Sequence, residues 1–270
     1  MLAKDCVKLD YCPYETVLST LGLKSLKKFI INEGYSTDGT YEQLSSIKDD
    51  RVEIIRRNWK MDKSFWSVER NHIIDRARTQ ADYLLILDAD EFLFEESLPI
   101  IDDFVANPGD FLGMHFRYRH FFRIKDGNDI ESLMVNINPK WYQSHAKLVH
   151  FSLQPRLEMV GHNADDFVGT YNGHTVALHA LSRLKKNKEL YVGHMGYARD
   201  AEAAGIKFKR NDEIYQNSSQ YVKGDIPESV PFSYPKYTPD RNLIPIDFKI
   251  PDSVVKWIES KNRRTSYETT

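Results

Sequence analysis

Through residues 1–95 the apolar positions switch between a helical rhythm and short unbroken runs. Tyr14, Val17, Leu18 and Leu21 share one helical face, and Gly22 stands where such a helix stops, so a helix is expected over 14–21. Residues 28–31 are short and apolar enough for a buried strand, and a polar turn follows from Asn32 to Gly39. Thr40 and Gln43 have the spacing of a capping box, which predicts a helix start at Thr40 with Leu44 and Ile47 inward. Residues 52–56 read as the next strand. Residues 67–80 suit a helix burying Ile73, Ile74 and Ala77. Residues 83–87 are continuously apolar, as expected of a central parallel strand covered on both faces.

The rhythm loosens after that. Over 111–118, Leu112, Met114, Phe116 and Tyr118 alternate with Gly113, His115 and Arg117, the pattern of a half-buried strand. One or two further strands, with antiparallel pairing open, are expected in 141–160, and a short one at 190–195. A helix is expected from about Asp200 to Tyr221. Six of the eleven prolines fall in 225–251, which rules out regular helix or sheet throughout and predicts an extended segment. A short helix near 252–262 and a solvated basic tail at 261–264 close the chain.

Strands alternating with helices at short intervals point to an α/β fold with a mostly parallel sheet flanked by helices. The expected division is one domain over 1–222, with halves 1–95 and 96–222, and an irregular C-terminal extension over 223–270. Ligands in such sheets bind beyond the carboxyl ends of the strands. The sharpest polar clusters, 32–40 and 88–91, lie at two such ends.

Composition narrows the class. The 270 residues suffice for one large α/β domain with extensions, and 41% apolar with 28% charged residues suits a globular protein. A net charge of −2 argues against a general nucleic-acid grip. Cys6 and Cys12 make neither a disulfide framework nor a zinc quartet, and read as reduced thiols of a cytoplasmic protein. No apolar run approaches the roughly 20 residues that span a bilayer, so any membrane association would be peripheral.

Asp88-Ala89-Asp90 carries the first candidate chemistry. Carboxylates two apart on extended chain point the same way, repel one another, and suit Mg²⁺ or Mn²⁺ bridging to a diphosphate. The plain alternative is a solvated acidic turn. Ser36–Thr40, with Gly34 and Gly39 around it, is the second: a strand-to-helix turn, with or without a ligand.

Together the segments resemble family 2 glycosyltransferases. In that family a strand leads to a segment like Asp-Asp-Gly-Ser-Thr-Asp-Gly-Thr, then to an Arg-Asn-containing helix and an apolar strand ending in Asp-x-Asp. This chain has Ser36–Thr40, Arg70-Asn71 and Leu84–Asp90 in that order, and residues 3–10 resemble the segment after the family's first strand. The resemblance covers about residues 3–95. It implies a GT-A-type, Rossmann-like fold with a nucleotide-binding half (1–95) and an acceptor half (96–222).

It also implies roles. Asp90 would hold a Mn²⁺ or Mg²⁺ cofactor on the diphosphate, with Asp88 sharing the metal or reaching the ribose. Lys4, Asp5, Glu33, Asp38, Arg70, Ala89 and Arg199 would line the nucleotide-sugar site. Glu33 stands near the family's uracil-contacting acid, but the sequence reads Asn32-Glu-Gly-Tyr-Ser, which departs from the family at the base contact. A UDP-sugar is the favoured donor. His194, in Gly193-His-Met-Gly-Tyr, would complete the metal site; a hydrogen-bonded core histidine is the alternative. An inverting transfer needs a base for the acceptor hydroxyl, and Asp165 and Asp166 are the candidates.

Residues 115–123 with Trp141 and Tyr142 are aromatic and basic, and read either as an acceptor groove or as core with solvated arginines. The acceptor is a glycan, a lipid-linked sugar or another hydroxyl, with nucleic acid less favoured. Oligomeric state is left open. Two other classes compete: a nucleotidyltransferase, whose glycine-rich amino-terminal loop with an arginine is absent, and a non-catalytic sugar- or protein-binding module.

Overall fold

The computed structural model describes residues 1–62, 64–125, 131–136, 145–151, 158–159, 167–171, 174–177, 183–199, 203, 205–207 and 243–265. Phe29–Glu33 (β2) runs between Leu2–Ala3 (β1) and Val52–Arg56 (β3), and both pairings are parallel. Every residue of β2 is buried, Asn32 and Glu33 included, so the strand runs two residues further than its apolar letters indicate. The helices that return the chain between these strands are Pro13–Thr20 (α1) and Thr40–Ser45 (α2). Phe65–Arg78 (α3) then leads to Tyr83–Leu85 (β4).

The larger, seven-stranded sheet is mixed. Its spine is Gly113–Lys125 (β6) beside Leu184–Tyr197 (β12), paired in parallel. The other edge of β6 takes two antiparallel partners end to end: His145–His150 (β8) along its first half and Glu131–Asn136 (β7) along its second. Glu91–Leu93 (β5) pairs antiparallel with β12, and β4 pairs antiparallel with β8. Residues 83–87 therefore do not form the expected parallel strand. Their apolar continuity reflects cover on both faces, which an antiparallel partner supplies equally well. Glu158–Met159 (β9), Phe167–Tyr171 (β10) and His174–Ala177 (β11) form a separate three-stranded antiparallel sheet.

Apolar side chains collect in three clusters. Val17, Ile31, Leu44, Ile101, Phe104 and Phe116 unite the two sheets with α1, α2 and Ser97–Ala106 (α4). Ile30, Phe65, Ile73, Ile74, Leu84 and Val149 lie under α3. Phe92, Phe94, Phe121 and Met195 receive Val254 and Trp257 from Asp252–Thr265 (α5). Each of those two side chains contributes about 1.5–3 kcal/mol by leaving water. The C-terminal stretch is thus docked at two points, since Leu243–Pro245 (β13) also pairs with β7. An apolar cavity of about 310 Å³ lies between β2 and β4, lined by Leu2, Ile30, Ile73, Leu84 and Ile86 and reaching Arg70.

Several local expectations change. In α1 the buried positions are Pro13, Glu15, Thr16, Val17 and Thr20, so the inward face is turned away from Tyr14, Leu18 and Leu21. Thr16 and Thr20 tolerate burial because their hydroxyls donate to the carbonyls of Cys12 and Thr16. Thr40 is the first helical residue, not the cap; Gly39 caps α2 at φ 92°, a conformation glycine adopts without steric cost. The start of β6 is buried on both faces, His115 included, because it lies between β8 and β12 in the middle of the sheet. The helix expected over 200–221 falls mostly outside the described residues, though Ala203 and 205–207 are helical.

Candidate active site

The Asp88–Asp90 segment is the turn between β4 and β5. The ladder to β8 runs through the Ile86 N–H, which donates to the Lys147 carbonyl, and the Glu91 N–H closes the turn on the Asp88 carbonyl at 3.1 Å. The chain then leaves along β12, with Glu91 opposite His194. This reversal places Asp88 and Asp90 at the mouth of the larger sheet, beside the end of β12.

Asp90 is held from three sides. Its Oδ2 accepts from Arg199 Nη2 at 2.5 Å and lies 3.7 Å from His194 Nε2, while its carbonyl accepts the Met195 N–H. Arg199 is 1% exposed; it also donates to the carbonyls of Gly196 and Leu9, and its guanidinium lies 3.8 Å from the Tyr11 ring centroid. One buried cation therefore ties β12, residues 3–10 and the Asp90 turn together. Burial raises the Asp90 carboxyl pKa, but the neighbouring His194 ring and the Arg199 charge outweigh it and hold it below its ordinary value. Burial lowers the His194 pKa to about 4 against the pull of Asp90, so the ring is neutral at neutral pH and has a lone pair to offer.

Asp88 faces outward, 31% exposed at the side chain, and pairs with Arg70 from α3. Burial raises its pKa, and Arg70 and Lys147 together bring it well below the ordinary range. The residue before Arg70, Glu69, accepts from the Asn32 side chain at 2.8 Å and from Arg57. The buried pair Glu69 and Arg70 of α3 thus links the ends of β2 and β4.

The other sequence candidates meet at the end of β2. Lys4 Nζ donates to the Gly34 carbonyl, and the Asp5 N–H donates to Ser36 Oγ at 2.9 Å. Asp38 accepts the N–H groups of Lys8 and Thr40, and Thr40 Oγ1 accepts the Cys6 N–H. Residues 3–10 and 34–40 are therefore knitted into one platform. Glu33 is buried: it accepts from Ser36 N at 2.6 Å and Tyr35 N at 3.1 Å, and pairs with Arg56 at 2.8 Å. Its carboxylate is spent on shaping this turn. The Ala89 carbonyl accepts the Cys12 N–H, joining the platform to the Asp88 turn.

Four further residues brace the site: Glu91, Lys147, Tyr118 and His120. Glu91 receives Lys147 Nζ on both oxygens at 2.7 Å, Tyr118 Oη at 2.8 Å and the Asp88 N–H at 2.9 Å. Burial pushes the Glu91 carboxyl up and Lys147 opposes it. His120 meets His194, Nδ1 to Nδ1, at 2.9 Å. Tyr118 and His120 continue the alternation that begins at Leu112, so that rhythm, carried two residues further, marks them. Lys147 and Glu91 look like ordinary surface charges until β8 and β5 are placed.

In its described part the aromatic-basic stretch supplies core rings, but Arg119 is not the solvated arginine of the core reading, its side chain being 20% exposed. Phe116, Tyr118 and Phe121 are buried, and Arg119 stacks between Phe248 and Tyr191. Trp141, Tyr142, Asp165 and Asp166 lie outside the described residues.

Among the described residues no three His, Cys, Asp or Glu side chains converge as a metal cage. The donor set nevertheless fits a divalent cation that takes its remaining ligands from phosphate and water. Gly196 packs closely against this pair: a Cβ there would lie 2.4 Å from His194 Nε2 and 3.3 Å from Asp90 Oδ2, so no side chain can stand beside them. Among the described residues no helix is long and apolar enough to cross a membrane.

The family model for glycosyl transferase family 2 matches residues 14–149. That stretch includes Ser36–Thr40, Arg70, Asp88, Asp90 and Lys147, and stops short of His194 and Arg199. No curated protein matches the chain.

Proposed function

The chain belongs to glycosyl transferase family 2, and from that premise we propose that it transfers a sugar from a UDP-sugar to an acceptor hydroxyl, with inversion and with Mn²⁺ or Mg²⁺. That it is a glycosyltransferase follows from the family. The finer reading is carried by one observation: Asp90 and His194, with no side chain beside them at Gly196, lie next to an outward Asp88 braced by Arg70.

In this reading Asp90 and His194 hold the cation, and Asp88 reaches the ribose or shares it. When bound, the cation supplies positive charge for the departing diphosphate. Arg199 serves the site through Asp90, keeping that carboxylate ionised and aimed. Arg70 fixes Asp88 and borders the nucleotide. Lys4, Asp5, Glu33, Asp38 and Ala89 build the floor on which the nucleotide lies, Glu33 by bracing the turn. Tyr35, half-exposed beside Arg56, is the surface open to a base there. Asp165 or Asp166 takes the acceptor proton. The acceptor is a glycan, a lipid-linked sugar or another hydroxyl compound. A cytoplasmic location, peripheral to a membrane if associated with one, is supported by two buried cysteines that form no disulfide.

The test is a panel of UDP-, GDP- and TDP-sugars with Mn²⁺, without acceptor, for wild type and Asp90→Ala. Slow release of UDP by wild type alone is expected. Removing Asp90 strips buried Arg199 of its partner, so a melt of the variant must show that it is still folded. Silence across the panel, with no Mn²⁺- and UDP-dependent rise in melting temperature, would favour a binding module instead.

A further inference from the structure

His194 and His120 stand side by side on the parallel strands β12 and β6, and their backbones are in register. Their rings meet at right angles, with Nδ1 to Nδ1 at 2.9 Å. At that separation one nitrogen donates and the other accepts, because two N–H groups or two lone pairs would repel. The choice has a consequence at the other side of the ring. If His194 donates from Nδ1, its Nε2 carries a lone pair toward Asp90, 3.7 Å away. If His120 donates, His194 Nε2 carries the proton and has nothing to offer a cation.

His120 is itself held. It stacks on Tyr118, with rings 5.1 Å apart and 3° from parallel, and meets the Tyr197 ring edge-on at 5.4 Å. These contacts hold the plane of the ring, with Nδ1 toward His194. Gly196 makes its close approach to the Nε2 edge of His194, not to Nδ1.

We infer that His120 is a positioning residue that accepts the Nδ1 proton of His194 and keeps the Nε2 lone pair facing Asp90, ready for a divalent cation. The inference rests on the reading of Asp90 and His194 as the cation ligands. An imidazole ligand whose second nitrogen donates to a fixed acceptor is oriented and made more basic, and losing such a partner typically lowers metal affinity about 10–100-fold.

The full chain is labelled with ¹⁵N-histidine, and the tautomer of His194 is read from ring ¹H–¹⁵N correlations with and without Mg²⁺. Mn²⁺ binding is followed separately by the loss of the free-ion signal in electron paramagnetic resonance. With Mg²⁺, wild-type His194 is expected to carry its proton on Nδ1. His120→Phe keeps the stack on Tyr118 but removes the acceptor, and should weaken Mn²⁺ binding about 10–100-fold and mix the His194 tautomers. His120→Asn returns an acceptor oxygen near the old Nδ1 and should restore most of the affinity. Thermal melts confirm that both variants fold. Wild-type His194 protonated on Nε2 with Mg²⁺ would overturn the inference. So would an unchanged Mn²⁺ affinity in His120→Phe when His194→Ala loses it. Equal affinity in His194→Ala and wild type would instead remove the ligand reading beneath it.

Discussion

Glu33 shows how one residue's surroundings decide its use. By type and position it is an acid at a strand exit, available to a ligand. In the fold it accepts two N–H groups of the following turn and pairs with Arg56, while its side chain is shut from solvent. Burial raises its pKa, but the Ser36 and Arg56 hydrogen bonds outweigh burial and leave it below 4.5. A carboxyl lowered on folding adds stability above its unfolded pKa, and that stability is lost as pH falls through the folded value. Glu33→Gln should therefore cost about 1.5–3 kcal/mol at neutral pH. The gap to wild type should narrow steadily below the ordinary carboxylate range. Urea melts of both proteins across that interval measure this, and a constant gap would mean the loss is one of shape, not charge.

At the scale of elements, the site depends on how closely β5 approaches β12. Gly193 faces Phe92 across that pairing, and a Cβ at 193 would sit 2.3 Å from the ring. The ring has no room to yield, since Phe94 and Phe121 pack against it at 5.1 and 5.6 Å. Gly193→Ala should cost about 1–3 kcal/mol. It should also push β5 outward, carrying Glu91 and the Asp88 turn with it. The check is a thermal melt beside the Michaelis constant for the donor: both should worsen, whereas loss of stability alone would mean that the turn is positioned independently of β5.

For the whole molecule, the buried group under Asp88 is the junction. Glu91 comes from β5, Lys147 from β8 and Tyr118 from β6, so a single carboxylate is gripped by side chains from far apart in the chain. Breaking a buried pair on one side strands the other charge. Lys147→Met should destabilise the protein by about 3–5 kcal/mol, and adding Glu91→Leu should recover most of that. Chemical denaturation of the two variants tests it. If the double variant is no more stable than the single one, the pair does more than cancel its own burial. The same cluster supports the Asp88 N–H, so the double variant, though stable, is expected to bind donor nucleotide more weakly than wild type.

Local pattern by itself determined much of the first half: α1, β2, β3 and α3 follow from apolar periodicity, and α5 follows at the far end. The order of Ser36–Thr40, Arg70 and Asp88–Asp90 likewise located the ends of β2 and β4 and named the family. Periodicity reports which faces are covered, not what covers them. It therefore left the antiparallel partner of β4 unseen, along with β5 and α4, and misjudged which face of α1 turns inward. Tertiary structure alone decided that Arg199 is a buried partner of Asp90, that Lys147 lies under Glu91 and that His120 touches His194. Those contacts join residues 56 to 109 positions apart, and a charge or imidazole acquires its role from the neighbour that folding brings to it.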